Sequence, residues 1–218
     1  VNRLYQSMNT NDSAKTIVCY GDSNTWGRVP KAGRYPRSVR WTGSLQNLLG
    51  DEYEVVSEGV GGRTFVVVDP ENPWRAGITH LKSILRNNLP IDLIIVMLGT
   101  NDVKIKFNLE PEDIAKHLQQ TIDLIRTEDI KNILIVCPPD IVIPESGIED
   151  PRYIGGSEKI KKLPQLFNEI AQKNGCGFVD TGKYITPSKI DGFHFEPGAH
   201  AKLAEVLKIE VLRIFNSQ

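Results

Sequence analysis

The sequence predicts an α/β fold, a three-layer α/β/α sandwich with a five-stranded parallel sheet of the flavodoxin-like type. Short apolar runs alternate with amphipathic helical patterns along the whole chain. The runs are apolar on both faces, which is typical of strands in a covered parallel sheet. The helical patterns between them supply the crossovers that parallel strands require. At 218 residues the chain has the length of one domain, predicted over 16–218 after a polar lead-in at 1–15.

Each element is predicted from its own local pattern. The expected strands are Ile17–Tyr20, Tyr53–Ser57, Leu93–Leu98, Ile133–Cys137 and Gly177–Asp180. A polar cap or a proline marks the start of each expected helix, at Ser38, Asn72-Pro73, Pro111, Ile160 or Pro164, and Pro197. Pro164 either kinks the fourth helix or marks its true start.

The first fifteen residues are polar and lack the apolar segment of a signal peptide. Leu4-Tyr-Gln-Ser-Met8 resembles the remnant of a protease-site tag, which would make Met8 the native start. The three cysteines, Cys19, Cys137 and Cys176, lie in or beside apolar runs. Their odd number and their positions indicate reduced core thiols, and we therefore expect a cytoplasmic location.

Charge and hydropathy argue against two classes of partner. The formal net charge is −1, which gives no electrostatic reason to expect nucleic acid or an anionic membrane as partner. The chain has no apolar run of the roughly 18 residues that a membrane-spanning helix needs. We expect a small molecule as the ligand.

Polar residues follow three of the predicted strands, where open α/β sheets bind their ligands. Ser23 follows the first strand in Gly21-Asp-Ser, and Asn101 follows the third strand in Gly-Thr-Asn101-Asp. A glycine-rich turn containing Gly62 follows the second strand and could point a backbone N–H into the same crevice. Each motif taken alone also fits an ordinary turn or loop.

The segment Asp191-Gly-Phe-His194 precedes the last predicted helix. The spacing allows the carboxylate to hold the imidazole, and histidine is the usual general base. Of the other histidines, His80 and His117 have polar neighbours typical of a helix surface, and His200 lies in the first turn of the last helix.

Ser23, Asp191 and His194 therefore form a candidate catalytic triad. A serine hydroxyl is a weak nucleophile unless a base takes its proton and a third group orients that base. The tetrahedral oxyanion also needs hydrogen-bond donors. The expected donors are the Ser23 backbone N–H, a backbone N–H near Gly62 and the side-chain amide of Asn101.

With these motifs the chain is similar to the SGNH hydrolases, also called the GDSL family. Gly21-Asp-Ser-Asn-Thr resembles the first family block, which carries the nucleophile, and Gly62 falls at the second. Gly99-Thr-Asn101-Asp resembles the third block, and Asp191-Gly-Phe-His194 resembles the fifth. Three further segments are similar to the bacterial arylesterase and acyltransferase branch: Trp26-Gly27, Arg40-Trp-Thr-Gly43 and Glu58-Gly-x-x-x-Arg63-Thr.

The chain departs from the family pattern at two positions, and both bear on substrate choice. Asn24 stands where leucine or isoleucine usually follows the nucleophile, and Gly62 stands where the arylesterase branch often has a side chain. Asn24 and Trp26 are candidate substrate-binding residues. Ile141 and Val142, in the long proline-rich segment 138–156, are predicted either to form an apolar wall of the site or to bury a contact in a homo-oligomer.

The chain lacks residues that other catalytic and ligand-binding motifs require. No serine satisfies the G-x-S-x-G pattern of the α/β-hydrolase elbow. A segment like a P-loop, from Gly177 to Lys183, has Tyr184 in place of Ser or Thr, and Gly177 begins a strand instead of following one. Asp191, His194 and His200 lack a second cluster to complete a metal site, so neither a metal nor a cofactor is expected.

The resemblance and the candidate triad together predict a serine esterase that hydrolyses small acyl esters of aryl or alkyl alcohols, with acetyl as the first choice of acyl group. A carbohydrate O-acetylesterase or an acyltransferase on the same site remains an alternative. A non-catalytic flavodoxin-like module that binds a small ligand is the alternative of another class. Such a module would not react with a serine-directed fluorophosphonate.

Overall fold

The computed structural model of the protein describes residues 9–216, and the tag-like segment Leu4-Tyr-Gln-Ser-Met8 lies outside the described residues. Five parallel strands form one sheet in the order β2-β1-β3-β4-β5. Their bounds are β1 Lys15–Gly21, β2 Tyr53–Gly59, β3 Leu93–Met97, β4 Ile133–Cys137 and β5 Gly177–Asp180. All five predicted strands are confirmed, as is the predicted three-layer sandwich.

Seven α-helices occur within the described residues: α1 Ser23–Trp26, α2 Trp41–Leu49, α3 Gly77–Asn87, α4 Pro111–Arg126, α5 Gly156–Ile160, α6 Leu163–Lys173 and α7 Pro197–Asn216. The predicted starts at Pro111 and Pro197 are confirmed. At Pro111 a capping box closes the first turn, because the side chains of Glu110 and Asp113 each accept from the other's backbone N–H.

Two predicted helix starts are wrong in detail, and of the two alternatives for Pro164 the start of a helix is confirmed. Ser38 does not cap α2, whose N-cap is Arg40 without a side-chain hydrogen bond. Asn72-Pro73 opens only a 3₁₀ turn, Pro73–Arg75, before α3 begins. The predicted fourth helix is two helices, and Pro164 lies in the first turn of α6. Proline is accommodated there because the first N–H groups of a helix have no intrahelical acceptor.

The sheet separates two apolar cores, because successive side chains of a strand point to opposite faces. Val18 and Tyr20 of β1 pack on one side with residues of α3, α4 and α6. Ile17 and Cys19 pack on the other side with residues of α2 and α7. Every residue of β3 and β4 is buried, as expected for central strands covered by helices on both faces.

The strand order reverses between β1 and β3, since β2 lies on one side of β1 and β3 to β5 lie on the other. Such a reversal leaves a crevice at the carboxyl ends of the two strands. Ser23 follows β1 and Asn101 follows β3, so both lie at this crevice. In the described part of the chain, no helix combines the length and the hydropathy of a bilayer-crossing segment.

Candidate active site

The turn after β1 holds Ser23 in a fixed position. Ser23 begins α1, a helix of only four residues. Asp22 caps this helix by accepting from the Asn24 N–H at 2.9 Å, and Gly27 ends it at φ 88°. The turn has no room for a side chain at Gly21, since a Cβ there would lie 2.1 Å from the Thr25 hydroxyl oxygen. These contacts fix the turn despite the short length of α1.

The three predicted triad residues lie within hydrogen-bonding distance of one another. His194 Nε2 is 3.0 Å from Ser23 Oγ, and His194 Nδ1 is 2.7 Å from Asp191 Oδ2. The second carboxylate oxygen of Asp191 accepts from the backbone N–H groups of Phe193 and His194. This arrangement matches the order nucleophile, base and orienting acid.

The surroundings of Asp191 favour its ionised form. Burial alone would raise the pKa of this carboxyl group. The hydrogen bonds from the His194 ring and from the two backbone N–H groups outweigh burial, and the net effect is a lowered pKa. Asp191 therefore carries the negative charge that stabilises a protonated imidazole.

The structure contradicts the predicted substrate contact of Asn24. Its side chain is buried, with the amide N–H donating to Phe193 O at 3.0 Å and the amide oxygen accepting from Phe195 N–H at 3.2 Å. Both amide atoms are thus bound to the backbone on either side of His194. Asn24 is a positioning residue that fixes the histidine loop to the nucleophile turn. The departure from leucine or isoleucine beside a serine did not reveal this role, because the partners are about 170 positions away in sequence.

Asn101 lines the same cavity as Ser23, as expected from the positions of the two strand ends, but its amide already has partners. The side-chain nitrogen lies 3.2 Å from Asp22 Oδ2 and 3.1 Å from Arg63 O, and the side-chain oxygen accepts from the Tyr153 hydroxyl at 3.1 Å. Asp22 is buried, and burial raises its pKa. The link between Asp22 and Asn101 ties the loop after β1 to the loop after β3.

The turn after β2 brings Gly62 to the same pocket. Its φ of 81° is in the left-handed region that favours glycine, and a Cβ there would lie 2.9 Å from the Arg75 side chain. Arg63, the next residue, is buried and donates to the Gly21 and Glu58 carbonyl oxygens. The guanidinium thus fixes this turn to the end of β1, and its position explains the arginine of the Glu58-to-Thr64 motif.

Ser23 and His194 open into a cavity of about 330 Å³. Trp26 lines it, and its role in substrate binding stays a prediction. The complete lining is Ser23, Trp26, Arg28, Gly61, Gly62, Arg75, Asn101, Lys104, Arg152, Tyr153, Phe193 and His194. Sequence reasoning missed the four basic residues and the two aromatic rings. The only available signal was the position of Lys104, three residues after Asn101.

Ile141 and Val142 do not line this cavity. They line a neighbouring cavity of about 320 Å³, which shares only Tyr153 and Phe193 with the first. The Val142 N–H donates to Gly192 O at 2.9 Å, so this part of the 138–156 segment supports the histidine loop from behind. The aromatic pair, with ring centroids 4.7 Å apart, forms the wall that was predicted for Ile141 and Val142.

His200 does not join the site. It is fully buried, and its Nδ1 accepts from the Trp41 N–H at 3.3 Å. Burial lowers the pKa of His200 to about 4, so the ring is neutral at physiological pH. His117 is only partly buried, and burial lowers its pKa as well. Within residues 9–216, no group of three or more His, Cys, Asp or Glu side chains is arranged to hold a metal ion.

Comparison with known proteins gives the class and the family. The family model for the GDSL-like Lipase/Acylhydrolase family matches residues 19–202. Together with the solved esterase structures described next, this match makes the protein a carboxylic ester hydrolase. The chain belongs to the GDSL-like Lipase/Acylhydrolase family, which confirms the resemblance to SGNH hydrolases.

Two solved structures and one curated protein illustrate the likeness. Est24, a carbohydrate acetylesterase from Sinorhizobium meliloti, is 33% identical with a TM-score of 0.87, covering 92% of this chain and 99% of its own. The M. smegmatis aryl esterase is 34% identical with a TM-score of 0.86 and the same coverage. The uncharacterized lipoprotein YqeF of Bacillus subtilis is 26% identical over 57% of this chain. The match spans only about half of that protein, 49% of its length.

Proposed function

We propose that the protein is a serine esterase that hydrolyses small acyl esters, acetyl esters first, through Ser23, His194 and Asp191. The observation that carries this proposal is the continuous chain of contacts from Ser23 Oγ through the imidazole to the Asp191 carboxylate, at 3.0 and 2.7 Å. Ser23 lies at the strand-order reversal of the sheet, where open α/β sheets bind their ligands. The chain also belongs to a family of acylhydrolases, which supports the same proposal.

The proposed mechanism moves one proton between Ser23, His194 and the leaving group. The ionised Asp191 accepts from His194 Nδ1–H, and this tautomer leaves Nε2 free to accept a proton. Ser23 Oγ attacks the ester carbonyl while Nε2 takes the hydroxyl proton, and the imidazolium then returns that proton to the leaving alcohol. Water repeats the sequence on the acyl-enzyme: it gives a proton to Nε2, attacks the carbonyl carbon and releases Ser23 with its proton restored.

The oxyanion of each tetrahedral intermediate would be held by the backbone N–H groups of Ser23 and Gly62 and by the amide of Asn101. Negative charge appears on the carbonyl oxygen only as the intermediate forms, so these donors stabilise the transition state more than the ester. Both polar contacts of the Asn101 nitrogen are longer than 3 Å. A charged oxygen would therefore compete effectively for one of its two N–H groups.

A cavity of about 330 Å³ supports a small substrate. Of the two similar esterases, one is named for carbohydrate acetyl esters and the other for aryl esters. Acetylated sugars are therefore the second candidate substrate class. An acyltransferase would use the same acyl-enzyme, with an alcohol in place of water. The cytoplasmic location, the homo-oligomer and the absence of nucleic-acid and membrane partners stay predictions from the sequence.

Labelling with a fluorophosphonate tests the nucleophile. We expect the reagent to label the wild-type protein at Ser23 alone, and we expect Ser23→Ala to lose both labelling and the hydrolysis of p-nitrophenyl acetate. The matched control is Ser57→Ala, at an exposed serine of β2 that is not part of the cavity lining, and it should label fully. Melting temperatures would show that both variants fold. Labelling that persists in folded Ser23→Ala protein would overturn the assignment.

A further inference from the structure

The cavity at Ser23 is lined by charge of one sign. Arg28, Arg75, Lys104 and Arg152 line it, and no aspartate or glutamate does so among the described residues. The whole chain has 26 basic and 27 acidic residues, so this concentration is local. Basic residues gathered in a cleft attract anions and raise their local concentration.

Lys104 is the least expected of these cations. Its residue is only 7% exposed, yet within the described residues its ammonium group has no ion pair and no hydrogen bond. The ammonium lies over the Tyr153 ring, 5.4 Å from its centroid. The charge of Lys106, two positions further along the chain, is paired in the usual way, since its ammonium lies 2.5 Å from Asp69 Oδ2.

The pKa of Lys104 is consistent with a site that lacks a negative partner for this charge. Burial lowers the pKa of Lys104 to about 8, and the positive charges of Arg152, Arg75 and Lys106 act in the same direction. The buried Asp22 carboxylate acts in the opposite direction, but its two oxygens already accept from Asn24 and Asn101. The Lys104 side chain is thus largely removed from water and lines the cavity, where an anion would pair with its charge.

Arg75 adds a second unmatched cation beside the catalytic turn. Its side chain lies against Gly62, and its Nε is buried without a hydrogen-bond partner among the described residues. Arg152 differs, because its guanidinium lies 2.5 Å from Asp150 Oδ2. Of the four cations that line the cavity, only Arg152 pairs with a carboxylate among the described residues. Of the other three, Arg28 is exposed, whereas Lys104 is buried and Arg75 is half-buried.

We propose that the natural substrate is an acidic ester, which carries a carboxylate or similar anionic group beside the scissile ester and binds it at Lys104 and Arg75. This inference rests on the proposed esterase function and narrows its substrate class. A neutral aryl or sugar acetate would leave both cations unpaired in the occupied cavity. An acidic ester would pair them and displace the water that would otherwise solvate them.

Two pairs of esters that differ only in charge test the proposal. The first places the charge on the leaving group: para-acetoxybenzoate against para-acetoxybenzamide. The second places it on the acyl group: the p-nitrophenyl monoester of adipic acid against the corresponding p-nitrophenyl ester amide. We expect the acidic member of at least one pair to have the higher kcat/KM, and the pair that responds identifies the side of the ester that Lys104 faces.

Lysine variants separate the effect of the cavity charge from the intrinsic difference in reactivity between the two esters of a pair. In Lys104→Gln the preference for the acidic member, taken as a ratio of kcat/KM values, should fall at least about tenfold, as expected for one charge-assisted hydrogen bond. Lys106→Gln is the matched control, because it removes the same charge from the same segment but its ammonium is bound to Asp69 outside the cavity. It should keep the wild-type ratio. A ratio that is unchanged in Lys104→Gln, or lowered equally in both variants, would overturn the proposal.

A binding measurement keeps this test separate from the esterase function itself. Calorimetric titration of Ser23→Ala protein with the responding acidic ester, or with all four esters if none is hydrolysed, measures anion recognition without turnover. We expect tighter binding of an acidic ester than of its amide, and loss of that difference in the Ser23→Ala, Lys104→Gln double variant. Equal binding of both members overturns the acidic-substrate inference, whereas failure of hydrolysis with selective binding overturns only the esterase function.

Discussion

The two sides of the cavity differ in how their polar groups are satisfied. On the side formed by the turn after β1 and the loop before α7, Ser23, His194 and Asp191 bind one another, and Asn24 binds the backbone around His194. On the side formed by the loop after β3 and by Arg75, the Lys104 ammonium has no hydrogen bond or ion pair and Arg75 has an unbound Nε among the described residues. The triad and Asn24 are thus hydrogen-bonded without a ligand, whereas Lys104 and the Nε of Arg75 are not.

This difference indicates that one side of the cavity performs catalysis and the other selects the substrate. Catalytic side chains that already bind one another hold their geometry before substrate arrives, which is the condition for electrostatic stabilisation of a transition state. A side with buried, unpaired cations gains most from what it binds, which is the condition for selecting a substrate by charge. We therefore expect substitutions on the first side to lower kcat and substitutions on the second to change the ranking of substrates.

The largest effect is expected for Asp191→Asn. An asparagine can still accept from the two backbone N–H groups, but its amide no longer favours the His194 tautomer that leaves Nε2 free. We expect kcat on p-nitrophenyl acetate to fall by about 10⁴, the size seen when this exchange is made in another serine hydrolase. The protein should stay folded in a thermal melt.

The control for Asp191→Asn is Asp180→Asn, at the end of β5, where the carboxylate caps a 3₁₀ turn and lines neither cavity. Its kcat should match that of the wild type. A folded Asp191→Asn enzyme that retains more than about a tenth of the wild-type kcat would show that catalysis does not depend on the Asp191 carboxylate.

Asn101 connects the two sides, because it lies in the loop after β3 and binds Asp22 in the turn after β1. Replacing it tests whether its amide takes part in catalysis or only holds the structure together. If its amide donates to the oxyanion, Asn101→Ala should lower kcat by roughly 10²–10³ with little change in KM. Asn101→Asp should be worse, because a second carboxylate would face both Asp22 and the developing oxyanion. Measurements of kcat and KM on one small aryl acetate, with thermal melts, give the result.

Asn132→Ala provides the comparison for Asn101→Ala. The Asn132 amide likewise donates to a backbone carbonyl, at Asp92 O, but at the opposite end of the sheet. Its loss should lower the melting temperature without affecting kcat. If Asn101→Ala behaves in the same way, with kcat within about threefold of the wild type, the residue serves only to link Asp22, Arg63 and Tyr153.

The sequence was informative where a function depends on residues at fixed strand ends. Ser23, Asn101 and Gly62 were predictable, because parallel strands bring their carboxyl ends to one edge and short motifs mark those ends. The strands themselves were predictable, since each is a short apolar run bounded by turn residues. The second helix was predicted from its apolar stripe, but its predicted start at Asn72-Pro73 was wrong, because local proline and asparagine signals do not distinguish a 3₁₀ turn from a helix.

Contacts between distant loops could not be predicted in the same way. Asn24 is polar and follows the nucleophile, which favours a substrate contact until its partners beside Phe193 are known. The apolar run at Ile141 and Val142 gives no indication of which of two adjacent cavities it lines. Lys104 has the sequence context of a surface lysine, and only the packing around it shows that it is buried.

The smallest expected effect, and the sharpest test of the second side, is the pH dependence of substrate choice. The pKa of Lys104 is about 8, so its charge is present below this value and is lost above it. The other cations that face it, on Arg75, Arg152 and Lys106, are the groups whose charges help to lower its pKa, and Asp22 opposes them. Burial raises the pKa of the neighbouring Tyr153, so that hydroxyl stays neutral.

The acidic ester remains ionised on both sides of this pH, so only the protein changes its charge. The preference for the acidic ester, measured from kcat/KM and hence for the free enzyme, should be full below pH 8 and should decline through it. Lys104→Arg should extend the preference to higher pH, because a guanidinium keeps its proton, and Lys104→Gln should give a low, flat ratio. A wild-type ratio that does not change across this range would mean that Lys104 does not face the acidic group, and that selection by charge belongs to the arginines alone.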